Sequence, residues 1–204
     1  MDKTLVGVFN GARDLSDVIE VINDLKLRKG TVVGVEYSLH HFYKNSLTVQ
    51  DYFWKGLINY LQKEKKCKIV FLDSEQLRTQ IDSSMAKEKK ISLATAKKMY
   101  GREKEFMQGI PECEVSFLGA EHAIRLHKKA KARLALDSPS FIMNKLGLLA
   151  LTPEQRADPN FFNKKRRILR RLDRKKSLFE IAGLEISDVK KRKKFKNRPK
   201  KRPK

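Results

Sequence analysis

Along the first 135 residues, apolar positions follow two alternating patterns. Short runs that are apolar throughout read as strands covered on both faces; runs with apolar residues three and four apart read as amphipathic helices. Thr4–Phe9 is the first strand-like run, ended by Asn10-Gly11. From Asp14 to Leu27, Leu15, Val18, Ile19, Ile22 and Leu25 share one helical face, and Gly30 closes the segment. Thr31–Tyr37 is a second, β-branched strand. A helix from about Thr48 to Lys65 places Tyr52, Phe53, Leu57, Tyr60 and Leu61 on its buried side. Lys68–Leu72, ending at Asp73, forms a third strand, and Ser74–Met107 reads as mostly helical. Glu114–Leu118 is a fourth strand and Ala120–Leu134 a fourth helix. The pattern predicts an α/β fold, a mostly parallel sheet flanked by helices, with a basic helical C-terminal extension. Right-handed crossovers then gather every strand-to-helix turn at one edge, where ligand sites form.

After residue 136 the pattern changes. Ser138-Pro139, Thr152-Pro153 and Asp158-Pro159 each pair a side-chain acceptor with the residue best suited to the first helical position. Gln155, three residues after Thr152, completes a capping box. A helix from Phe161 to Lys176 carries only a narrow apolar stripe of Ile168, Leu169 and Leu172. From Lys190 onward there is one aromatic residue and no core former, so the tail is expected to be disordered when free. The expected organisation is a globular domain over 1–136, a helical basic extension over 137–189, and a basic tail over 190–204.

Charge sharpens this division. Residues 1–123 hold 19 Lys and Arg against 17 Asp and Glu, a net of +2, whereas residues 124–204 hold 27 against 7, a net of +20. Together they give the whole-chain charge of +22. Such crowding disfavours compactness unless a polyanion neutralises it. In the expected helix, Lys164, Lys165, Arg166, Arg167, Arg170, Arg171, Arg174, Lys175 and Lys176 meet a single acid, Asp173, so like charges repel at helical spacing. In the tail, Lys190, Lys191, Arg192, Lys193, Lys194, Lys196, Arg198, Lys200, Lys201 and Arg202 continue the run. These side chains are the candidate RNA contacts, Arg in particular gripping phosphate with its planar fork.

No helix-turn-helix, zinc-finger spacing or basic zipper is visible, so reading a DNA major groove lacks a tool. Structured RNA, bound by shape and backbone, suits an arginine-rich segment. A globular body with a basic extension is also the layout of many ribosome-associated proteins, which makes ribosomal RNA the expected partner. A membrane partner is not expected, because the basic helix lacks a broad apolar face. The N-terminal Met1–Phe9 stretch is too short for a signal peptide, and no run reaches the roughly 18 apolar residues of a membrane span. Cys67 and Cys113 each open an apolar run and have no CxxC partner, which reads as reduced buried thiols and a cytoplasmic location.

Three turns at the expected ligand edge carry candidate chemistry: Asn10-Gly11-Ala12-Arg13, Glu36-Tyr37-Ser38 and Gly119-Ala120-Glu121-His122. In residue type and order, over residues 4–125, they resemble the TraB-type, erythromycin-esterase-like (ChaN-like) superfamily. In that family a first strand enters a Gly-x-x-His turn, a second strand ends in Glu, and a later strand ends in another Gly-x-x-His. By position Glu36 and His122 match, while Arg13 replaces the first histidine and Asn10 the first glycine. The resemblance implies Glu36 and His122 as catalytic residues of a hydrolase. Arg13 cannot serve as base or ligand, so hydrolysis is expected to be lost or altered, with Arg13 left as an anion-binding group. Alternatively, Glu36 pairs with Arg13 and His122 packs at a strand end.

No other motif competes. Gly7 and Gly11 do not complete G-x-G-x-x-G, and no Walker-type loop is present, so no cofactor is expected. His40 and His41 are adjacent and would diverge rather than share a metal, so no metal site is expected; their neighbours Phe42 and Tyr43 suit loop packing or base stacking. His127, beside Lys128 and Lys129, reads as basic surface. The sequence therefore points to an RNA-binding module rather than an enzyme, with a TraB-like hydrolase tethered to nucleic acid as the alternative.

Overall fold

The computed structural model describes residues 3–9, 15–43, 49–88, 91–145, 149, 151–158 and 160–161. In chain order its elements are β1 (Thr4–Val8), α1 (Ser16–Asp24), β2 (Val32–Val35), α2 (Leu39–Tyr43), α3 (Val49–Lys63), β3 (Lys68–Phe71) and α4 (Glu75–Lys87). There follow α5 (Leu93–Gly101), α6 (Glu103–Gly109), a 3-10 turn (Ile110–Glu112), β4 (Val115–Gly119), α7 (Ala120–Leu126), β5 (Arg133–Leu136), α8 (Ser138–Lys145) and α9 (Pro153–Ala157). The five strands form one sheet in the order β3-β2-β4-β1-β5, and every pairing is parallel.

Strand order fixes the layers. The chain steps from β1 to β2 to β3 in one direction, then returns to β4 and on to β5 in the other. With right-handed crossovers, the first two connections lie on one face and the last two on the opposite face. Alternation along each strand agrees. Val6, Val8, Val33, Val35 and Phe117 face a core built with Val18 and Ile22 of α1 and Trp54, Leu57, Ile58 and Leu61 of α3. Leu5 and Leu118 face the other core, with Phe106, Ile110, Ala123 and Leu126. Each fully buried side chain of this size contributes roughly 1.5–3 kcal/mol of transfer free energy. On the second face Gly7 sets the spacing. A Cβ there would lie 3.0 Å from the Ala120 Cα and 3.1 Å from the Ala123 Cβ, so α7 can lie directly on β1 only because residue 7 has no side chain.

The charged stretch from Ser74 to Met107 is mostly helical, as expected, in three helices restarted at Ser92 and Arg102; several other expectations are corrected. Ser74 and Ser92 each accept a backbone N–H at 3.2 and 3.1 Å, so two of these helices begin on their own caps. The expected helix over Ala120–Leu134 stops at Leu126, and Arg133–Leu136 is a fifth strand beside β1. Lys131 takes a left-handed φ of 50° in the intervening turn, which ends helical propagation. Tyr52 does not face the core; it is 65% exposed, and Trp54 fills the interior instead. His40 and His41 lie in the short helix α2 rather than a loop.

The capping box at Thr152 is present, with Gln155 as its partner. Cys67 and Cys113 are free and buried. Most of the expected helix from Phe161 to Lys176 and all of the tail from Lys190 lie outside the described residues. No helix among the described residues is long and apolar enough to cross a membrane.

Candidate functional site at the strand-exit edge

A parallel sheet places the residues that follow its strands at a common edge, and three of these are acids: Glu36 and Asp137 directly after β2 and β5, and Asp73 two residues after β3. All three are buried. A buried carboxylate persists only when donors or cations replace its water, and each has them.

Glu36 follows β2, its backbone still bonded to the sheet through Phe117 O at 2.9 Å. Its Oε2 accepts the Gly119 N–H at 2.6 Å, and its Oε1 accepts Arg102 Nη2 at 2.7 Å. That same Nη2 also donates to Asp73 Oδ2 at 2.8 Å, while Arg102 Nε donates to Asp73 Oδ1 at 2.9 Å. One buried guanidinium therefore serves two carboxylates, with Arg78 Nη1 a more distant 3.7 Å from Asp73. Arg102 reaches this position because it forms the joint between α5 and α6, and its guanidinium rests on the Phe106 ring at 5.2 Å.

Two acids sharing one cation are pushed apart in proton affinity. Burial raises Glu36, but His122, Arg102 and the Gly119 N–H outweigh it and hold the carboxyl below its ordinary range. Burial raises Asp73, and the charge on Glu36 adds to it, so that even Arg102 does not restore its usual value. Asp137 is likewise raised by burial, although its Oδ1 accepts Ser140 N–H at 2.9 Å and its Oδ2 accepts Phe9 N–H at 2.7 Å.

His122 enters from α7. Its Nδ1 lies 3.1 Å from Glu103 Oε1 and its Nε2 3.8 Å from Glu36 Oε1. A carboxylate beside Nδ1 favours a proton there and turns Nε2 toward Glu36. Glu103 also accepts Arg125 Nε at 2.8 Å; burial raises its carboxyl, but His122 and Arg125 outweigh that and hold it low. The imidazole packs edge-on against Phe106 at 5.4 Å and Tyr100 at 6.1 Å. Tyr100 donates its hydroxyl to Glu121, which also accepts Arg156 Nη1 at 2.8 Å from α9.

The structure thus brings Glu36 and His122 together and adds Asp73, Arg102, Glu103 and Arg125, which sequence reasoning did not assign to the site. The acid closing the third apolar run is a visible signal for Asp73, whereas Asp137 has none, because the strand before it is not legible in the apolar pattern. Arg102 gave none, since its partners are 66 and 29 residues away. Arg13 lies outside the described residues, as do the basic positions from Lys164 to Arg202.

Chemically the cluster is a compensated ion-pair network. Both oxygens of Glu36 are engaged by donors, and its depressed proton affinity makes it a weak base. Among the described residues no group of three or more His, Cys, Asp or Glu could hold a metal ion. His40 and His41 diverge: His40 Nδ1 lies 3.3 Å from Glu75, His41 Nε2 lies 3.7 Å from Asp82, and His41 Nδ1 lies 2.7 Å from the Ser38 hydroxyl.

Fold and site together define an all-parallel, five-stranded α/β domain whose strand-exit edge is closed by buried ion pairs. Comparison of the chain with protein-family models, with curated proteins and with solved structures found no match.

Proposed function

We propose that the chain is an RNA-binding protein of the cytoplasm, with ribosomal RNA as its target. The observation that carries this reading is the net of +20 in residues 124–204, with nine Lys and Arg between positions 164 and 176. Phosphates relieve the repulsion that such a segment suffers alone, and releasing their counterions drives association. The exit-edge geometry supports a binding module over a hydrolase, because Glu36 is held between Arg102 and Gly119.

The full chain is expected to bind a ribosomal RNA fragment with affinity that falls roughly 10³-fold between about 50 and 200 mM salt, if about six side chains meet phosphates. Replacing Lys164, Lys165, Arg166, Arg167, Arg170 and Arg171 by Gln should remove most of that dependence. A flat salt response in the unmodified chain would overturn the proposal.

A second reading, a TraB-like hydrolase with an altered site, is favoured by one observation: Glu36 and His122 meet at 3.8 Å where parallel sheets bind ligands. Under it, the chain would turn over an ester or peptide, and His122→Asn would abolish turnover while leaving RNA affinity intact.

A further inference from the structure

The opposite edge of the sheet, where strands begin, has the reverse character. The segments that enter the strands, residues 3–4, 25–32, 64–68, 113–115 and 127–133, contain 11 Lys and Arg against two acids, Glu64 and Glu114. Of the acids, Glu114 is spent on the backbone, its Oε1 accepting from Val32 N–H at 3.3 Å. Of the cations, Lys65 Nζ is held by Asn23 Oδ1 at 2.9 Å and Lys3 Nζ by Pro111 O at 2.9 Å. The others are exposed, and none of them forms a salt bridge among the described residues. Because all five strands are parallel, these segments share one edge whatever their separation in sequence.

Backbone geometry singles out three of them. Among the described residues the non-glycine positions with positive φ are Lys26 at 50°, Lys66 at 56° and Lys131 at 50°. Each is exposed, and each lies in the turn between a helix and the strand that follows it, β2, β3 and β5 respectively. A left-handed conformation is strained for a residue with a Cβ, and glycine or asparagine adopts it more readily. Strain kept at three equivalent places on one edge is a pointer to use. The three turns span the sheet from β3 to β5, four strand spacings or roughly 19 Å, wide enough for several phosphates.

We infer that this strand-entry edge is a second RNA-contacting surface, on the folded body itself, where lysines set in left-handed turns meet the phosphate backbone. The inference rests on the reading of the chain as an RNA-binding protein, and it adds a place and a set of residues outside the basic extension. RNA is favoured over other polyanions because the same chain carries the arginine-rich extension, which suits structured RNA. The edge contributes position and affinity rather than sequence readout, since phosphate contacts carry no base information.

The test uses the full chain with Lys26, Lys66 and Lys131 all replaced by Asn, which suits the left-handed turn and deletes the charge. Binding to a homopolymeric RNA and to a paired RNA duplex is followed across a salt series. The log–log slope of affinity against salt should become shallower by about 2–3 units, equally for both probes, with unfolding temperature held or raised. A slope identical to that of the unmodified chain overturns the inference and leaves the proposed function standing. An unmodified chain that binds neither RNA overturns both. A variant that keeps its RNA slope but loses stability shows that the lysines serve only the helix C-termini beside them, and overturns the inference. Loss confined to binding of phosphatidylserine vesicles, with RNA binding unchanged, assigns the edge to a membrane and overturns it too.

Discussion

The two edges of one sheet handle charge in opposite ways. At the exit edge Glu36, Asp73, Arg102, Glu103 and His122 are all buried; Glu36 and Asp73 share Arg102, Glu103 is held by Arg125, and His122 lies between Glu36 and Glu103. At the entry edge Lys26, Lys66 and Lys131 are exposed and form no salt bridge among the described residues. Parallel topology produces both edges from the same five strands, but only the first carries charges whose loss must be compensated inside the protein. The difference separates residues that hold the fold from residues available to a partner.

Removing the shared cation should break the exit edge most severely. Arg102→Met leaves Glu36 and Asp73 buried beside each other without their shared cation, which should cost about 3–5 kcal/mol in urea unfolding. RNA affinity per folded molecule should stay within about twofold, because Arg102 touches no solvent-facing cation.

Acid sensitivity is a smaller effect with a definite sign. Glu36 and Glu103 are held below their ordinary range, so their contribution is complete above the unfolded value of about 4.3 and is lost as pH falls through the folded values. Asp73 and Asp137 are raised and act oppositely, adding stability at low pH that fades as pH rises through their folded values. Thermal unfolding measured from about pH 6 down to 3 should show Glu103→Gln less acid-sensitive than the unmodified chain. Equal slopes would remove Glu103 from the network.

The smallest expected effect lies at the entry edge. Lys26→Gly relieves a left-handed φ of 50° and should raise stability by up to about 1 kcal/mol, read as a rise in unfolding temperature. A loss there would show that the lysine side chain supports the turn.

Most of the fold was legible because its determinants are local. Apolar runs such as Val32–Val35 and Val115–Gly119 are buried along nearly their whole length, which gave four strands and the α/β class directly. β5 escaped because Arg133–Leu136 follows α7 after only six residues and continues its apolar pattern; pairing with β1, over 120 residues earlier in the chain, decides its state. Likewise Glu36 and His122 could be picked out as strand-exit residues, whereas Arg102 sits in a charged stretch that reads only as mostly helical. Its role comes from a joint between α5 and α6 that only packing reveals. The entry edge was hidden for another reason. Its basic residues are scattered from Lys3 to Arg133, on both sides of the boundary at residue 123, and topology alone collects them.

The Arg125 side chain that holds Glu103 also reaches the segment after α8. Arg125 Nη1 donates to Leu151 O at 3.1 Å while its Nε holds Glu103, and Arg156 reaches Glu121 from α9. The guanidinium that steadies the carboxylate beside His122 therefore also anchors the backbone at Leu151, so one side chain ties the segment before α9 to the surroundings of the imidazole.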